Sequence, residues 1–160
     1  VAIACLCAAG TSRPPRGDRL ERLATRLRSF DAFTATLASA RVQSDGGTVL
    51  FARDRGRGGL PELRLNPGDT AVWDGRFEIS TDRDLTIVPL AGHATRLPKA
   101  EQAALRAIAA IARPSLPAIL HEDGTVSCPI LAERPSVRVR ALALPRFEAA
   151  AGCVDREPAM

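Results

Sequence analysis

Three Asp-Gly steps, Asp45-Gly46, Asp74-Gly75 and Asp123-Gly124, each stand between short runs of apolar and β-branched residues. Gly reaches positive φ without steric cost and Asp tolerates it, so each step reads as the turn of a two-stranded hairpin. "FTATLASARV" and "TVLFARD" flank "QSDGG", "TAVW" and "RFEIS" flank Asp74-Gly75, and "LPAILHEDGTVSCPIL" folds back about Glu122-Asp123-Gly124. "LPELRL", "DLTIVPL" and "VRVRALAL" supply further extended pieces, and "NPGD" a turn with Pro at its second position. Helices do not alternate with these strands, which excludes a parallel βαβ sheet.

Helical spacing occurs in two places. Leu20, Leu23, Ala24, Leu27 and Phe30 fall on one face behind Asp18, read as an N-cap, with Arg19, Arg22, Arg26 and Arg28 on the other sides. "LPKAEQAALRAIAAIA" predicts a second helix running to Arg113-Pro114, its first turn carrying Lys99, Glu101 and Gln102. "VAIACLCAAG" reads as the end of a helix closed by Gly10, belonging to a preceding domain; it lacks the basic residues that open a secretory leader. "PRFEAAAGCVDREPAM" reads as a short helix or tail. The expected fold is α+β, mainly antiparallel hairpins with two to three separate helices. The expected division is a helical segment at 1–30 and an α+β domain at 31–160.

"NPGDTAVWDGRFEI" holds the only Trp. Trp73 and Phe77 read as core anchors beside a tight turn rather than as a ligand-reading pair, and Arg76 either pairs with Asp74 or Asp69 or faces a ligand.

The charge is unusual in kind. Of 22 basic residues only Lys99 is lysine, and the net charge is +4. Guanidinium groups fork onto phosphate oxygens, so an arginine-dominated basic chain suits nucleic acid, although GC-rich coding also enriches Arg and Ala. The candidate RNA contacts are Arg13 and Arg16 around the double proline, Arg53, Arg55 and Arg57 after the first hairpin, and Arg76.

Other chemistries find little support. "GRGG" at 56–59 lacks the Gly-Lys-Ser/Thr ending of a phosphate loop, so no cofactor-binding residue is assigned. Cys5, Cys7, Cys128 and Cys153 lack the paired spacing of a zinc site and read as free thiols in a reducing cytoplasm; no metal ligand is assigned. No apolar run is long enough to span a membrane. His93 and His121 are separated, and the Glu122-Asp123 pair reads as turn chemistry, so no catalytic residue is assigned.

"GTSRPPRGDRLERLATRL", "ATLASARVQSDGGTVLFARD", "LNPGDTAVWDGRFEI", "LPAILHEDGTVSCPIL" and the closing "GCVDREP", in this order, resemble the C-terminal half of bacterial tRNA(Ile)-lysidine synthetases, most closely the alphaproteobacterial type. Arg53-Asp54 departs from the Arg-Glu common in that family, and Ser39 stands where a glycine is expected. The resemblance implies a part of an ATP-dependent ligase that joins lysine to C2 of the wobble cytidine 34 of an isoleucine tRNA through an adenylated cytidine. The family's PP-loop string, Ser-Gly-Gly-x-Asp-Ser, does not occur in the sequence. ATP and magnesium are therefore implied for the full-length enzyme and not for these residues, which would position tRNA in the cytoplasm and be inactive alone. Homodimerisation of the full-length protein is a further expectation. Two rival readings are a stand-alone structural or accessory domain without catalysis and a small hydrolase using His93 and His121.

Overall fold

The computed structural model describes residues 1–153; residues 154–158 of the closing motif, and the tail after them, lie outside the described residues. Four α-helices and ten strands are described. They are α1 (Ala2–Ala9), α2 (Gly17–Arg28), β1 (Ala32–Leu37), β2 (Ala40–Asp45), β3 (Val49–Arg53), β4 (Leu63–Leu65), β5 (Thr70–Trp73), β6 (Phe77–Thr81), β7 (Leu85–Pro89), α3 (Lys99–Leu105), β8 (Pro117–Leu120), β9 (Val126–Ser127), β10 (Val137–Ala141) and α4 (Ala143–Ala150). The strands form three sheets, ordered β1-β2-β3, β10-β6-β5 and β4-β7-β8-β9, and every pairing is antiparallel. The α+β class expected from the hairpin signals is the one observed.

The apolar residues bury in two clusters. One joins Cys5, Ala9 and Leu23 of α1 and α2 to Phe33, Leu37, Ala40 and Val42 of β1 and β2. Residues 1–30, expected to end a preceding domain, thus pack on β1–β3. β2 alternates buried and exposed positions along its whole length, as a strand covered on one face must. The second cluster runs from Leu65 to Val137 and contains Trp73, Ile79, Ile87, Leu90 and Ile119. Trp73 is 1% exposed, donates its indole N–H to the Pro61 carbonyl at 2.8 Å, and lies 6.1 Å from the Phe77 ring. It is a core anchor.

Three local expectations are corrected. "FTATLASARV" is two strands, because Ala38 and Ser39 form a two-residue turn with φ of 48° and 63°. Positive φ at both positions twists the hairpin in the favoured sense but strains residues that carry a Cβ. The glycine expected at position 39 is the residue this geometry prefers. Ser39→Gly should therefore raise stability by about 1 kcal/mol, read as a higher urea midpoint at unchanged m-value.

The second predicted helix stops at Leu105 and is only seven residues long. Tighter i→i−3 turns follow, and the Arg113 guanidinium caps them by donating to the carbonyls of Ile108 (2.7 Å) and Arg106 (3.1 Å). α2 begins one residue before Asp18, whose carboxylate pairs with Arg22 at 2.9 Å instead of capping.

Candidate nucleic-acid interface

The chain between α1 and α2 is shaped by its own sequence. Gly10 closes α1 in the left-handed conformation at φ 66°; its N–H reaches back to the Cys7 carbonyl and the Thr11 N–H to the Leu6 carbonyl. Pro14 and Pro15 hold the next residues extended, and Arg16 enters α2 with φ −66° and ψ 140°. Arg16 and Arg19, three apart at the start of the helix, lie on one side of it. Together with Arg13 they line a cleft of about 380 Å³ whose opposite wall is Leu37, Ala38 and Ser39 of the β1–β2 turn.

That turn also anchors the second basic loop. The Ser39 carbonyl accepts hydrogen bonds from the Asp54 backbone N–H (2.9 Å) and the Arg53 guanidinium (3.2 Å). The loop carrying Arg55 and Arg57 therefore leaves β3 beside the cleft. Gly56 and Gly59 take φ of 60° and 74° within it. Arg13, Arg16, Arg19, Arg55 and Arg57 are all exposed, and among the described residues none has a carboxylate within salt-bridge distance. Three guanidinium groups with free donors thus line the cleft at the strained turn, and two more stand on the loop that begins beside it.

Arg53 and Arg76 are placed differently. Asp74, at the β5–β6 turn with φ 48°, accepts from Arg53 at 3.0 Å and from Arg76 at 2.9 Å, and its side chain is 5% exposed. Arg76 is buried and also donates to the Ser115 carbonyl at 2.6 Å. Burial pulls its pKa down while the Asp74 carboxylate pushes it back up. These two arginines spend their donors within the protein. The joint they make ties β3 of the first cluster to the β5–β6 turn of the second. Beside it Gly10 and Gly75 approach so closely that a methyl group on either would overlap the other's turn. Arg146 of α4 donates to the Gly75 carbonyl at the same place.

The pairing of Arg76 with Asp74 is one of the three alternatives the sequence leaves open for it, beside Asp69 and a ligand. Nothing local marks Arg53, 21 residues away from Asp74. Arg19 was missed because a helical arginine facing away from the core is usually only solvated. Its signal was the i, i+3 spacing to Arg16.

The two histidine rings hydrogen-bond to separate partners. His121 Nε2 lies 2.9 Å from the Ser127 hydroxyl, but Ser127 is 3% exposed and does not line the neighbouring cleft of about 260 Å³ formed by Arg64, Arg83, Asp84, His121 and Glu122. His93 Nδ1 lies 3.2 Å from the Arg96 guanidinium. Glu101, in the first turn of α3, is 3% exposed; it accepts from the Cys128 backbone N–H at 2.7 Å and pairs with Arg134. Burial raises the Cys128 thiol to about 11, which keeps it protonated at neutral pH. Among the described residues no group of three His, Cys, Asp or Glu side chains is arranged to hold a metal, and no helix is long and apolar enough to cross a membrane.

No protein-family model matches the chain, and no solved structure does. Among curated proteins, a tRNA(Ile)-lysidine synthase from Caulobacter vibrioides is 47% identical to it over 167 residues, covering 98% of this chain and 41% of the relative. The chain thus spans less than half the length of that relative.

Proposed function

We propose that this chain, which matches a partial, C-terminal region of a tRNA(Ile)-lysidine synthase, is the tRNA-docking part of such an enzyme. In this reading the arginines hold the tRNA by its phosphates. ATP-dependent attachment of lysine to the wobble cytidine takes place on polypeptide outside these 160 residues, in the cytoplasm, with ATP and magnesium bound there. The observation that carries the reading is that Arg13, Arg16 and Arg19 line the cleft at the β1–β2 turn while Arg55 and Arg57 stand on the loop that begins beside it, none of them ion-paired among the described residues. Guanidinium groups on loops fixed to a rigid sheet suit backbone contacts, which set register without reading sequence.

The test is affinity for tRNA as a function of salt. Each phosphate contact releases condensed counterions, so log K should fall linearly with log[salt], and removing one contacting arginine should reduce the slope by about 1. Arg16→Ala and Arg57→Ala are expected to do so, with Arg138→Ala, exposed on β10, as a control that does not. A wild-type chain that fails to bind tRNA at low salt would instead favour an accessory domain whose arginines only solvate it.

A further inference from the structure

Phe30 is the most exposed large apolar side chain among the described residues, at 76%. The first cluster does not use it. Phe33, three residues on, is the buried ring, with the Arg26 guanidinium 4.3 Å above it. Phe30 also sits at φ 56°, a left-handed conformation that bulky residues seldom adopt. Two unfavourable features, a solvated ring and a strained backbone, coincide at one residue.

The backbone beneath the ring is firmly held. The Ser29 hydroxyl lies 2.8 Å from the Arg26 carbonyl and 2.6 Å from the Asp31 carboxylate. From the other side, Gly46 of the β2–β3 turn comes so close to the Phe30 carbonyl that a Cβ there would overlap it. The ring is therefore presented from a fixed mount rather than from a loose loop.

Exposed arginines precede it in the chain. Arg26 and Arg28 are exposed in the last turn of α2. Arg19, seven residues before Arg26 and hence on the same helix face, lines the arginine cleft. An exposed aromatic ring that follows such arginines in the chain is suited to stacking on a nucleobase, and such stacking requires a base outside a duplex. We infer that Phe30 is a stacking platform for an unpaired base of the RNA whose phosphates the arginine cleft holds. This rests on the RNA-docking reading above and adds to it a base contact that no charge argument supplies.

The experiment compares the wild-type 160-residue chain with Phe30→Ala, Phe30→Leu and Phe30→Trp. Each is titrated with tRNA and with a blunt RNA duplex lacking unpaired bases, after circular dichroism has verified folding. Phe30→Ala and Phe30→Leu are expected to weaken tRNA binding about tenfold at an unchanged salt slope, Phe30→Trp to retain it, and duplex binding to be equal for all four. Leu keeps the apolar bulk and lacks the π-face, so wild-type affinity in Phe30→Leu overturns the stacking role. Equal losses on tRNA and duplex overturn the unpaired base. A chain that self-associates through Phe30 while its tRNA affinity ignores the substitutions assigns the ring to a protein contact instead. If the wild type binds no RNA, the docking reading falls and this inference falls with it; if the wild type binds and Phe30→Ala binds equally well, only this inference is lost.

Discussion

Asp74→Asn is expected to cost about 3 kcal/mol, and Asp74→Ala up to about 5 kcal/mol, as read from denaturant unfolding. Asp74 is the only carboxylate within salt-bridge distance of Arg53 or Arg76 among the described residues, and the side chains of all three are mostly or fully buried, at 5%, 18% and 8% exposed. A buried ion pair is not by itself a large source of stability, because desolvation offsets most of the Coulomb gain. Removing only the anion is a different matter, since two guanidinium groups are left in a poorly solvated place. Asn separates the charge from the backbone effect: it tolerates the left-handed φ of 48° at this position, whereas Ala adds strain. Replacing Arg53 by Met as well should recover part of the loss, and the coupling in that double-mutant cycle measures the pair directly.

The same substitution tests whether the joint couples the two apolar clusters. Arg53–Asp74, the Gly10–Gly75 approach and the Arg146 contact to Gly75 all lie at one place between them. Trp73, the sole Trp, reports the second cluster, while α1 and α2 contribute helical ellipticity from the first. Fluorescence and far-UV ellipticity should unfold together in the wild type and separate in Asp74→Asn. Coincident transitions within 0.5 kcal/mol of wild type would show the triad to be a surface ornament.

Much of this architecture was legible because its signals are local. Asp45-Gly46, Asp74-Gly75 and Asp123-Gly124 announced hairpins through backbone preferences that act within four residues, and all three sit at turns with positive-φ glycines. The Ala38-Ser39 turn gave no such signal, because neither residue favours the conformation it adopts there. The register Leu37↔Ala40 is imposed instead by Phe33, Leu37, Ala40 and Val42 all having to face α1 and α2. The overlong second helix had the opposite cause. The spacing of Leu105, Ile108 and Ile111 is helical, but the carbonyls of Arg106 and Ile108 find the Arg113 guanidinium, a side-chain contact that apolar spacing does not register. The pairings β4–β7 and β6–β10, the burial of Glu101 against Arg134, and the commitment of Arg53 to Asp74 join residues distant in sequence. Spacing cannot reveal them. Four of the six arginines read from the sequence as RNA contacts remain exposed and unpaired for the same reason that two do not: Arg13, Arg16, Arg55 and Arg57 lie on loops, whereas Arg53 and Arg76 lie where two apolar clusters meet.

Trp73→Ala is expected to remove about 3–5 kcal/mol, a large share of the roughly 5–15 kcal/mol that holds a domain of ordinary stability, and to lower Tm by on the order of 10 °C. The indole is fully enclosed in the larger cluster, its N–H is satisfied by the Pro61 carbonyl, and the Phe77 ring and Arg76 guanidinium lie at 6.1 Å and 6.0 Å. Truncation leaves a cavity lined by β5 and β6, which carry the Asp74 turn, so part of the loss should appear as a weaker joint. Since the ring does not reach the surface, tRNA affinity measured well below the lowered Tm should match wild type, with the same salt slope. A Trp73→Ala chain that keeps its full stability and loses only tRNA binding would make the indole a recognition residue. Burial at 1% leaves no face of the ring for a base to stack on, and the expected result is therefore a large change in stability with none in affinity.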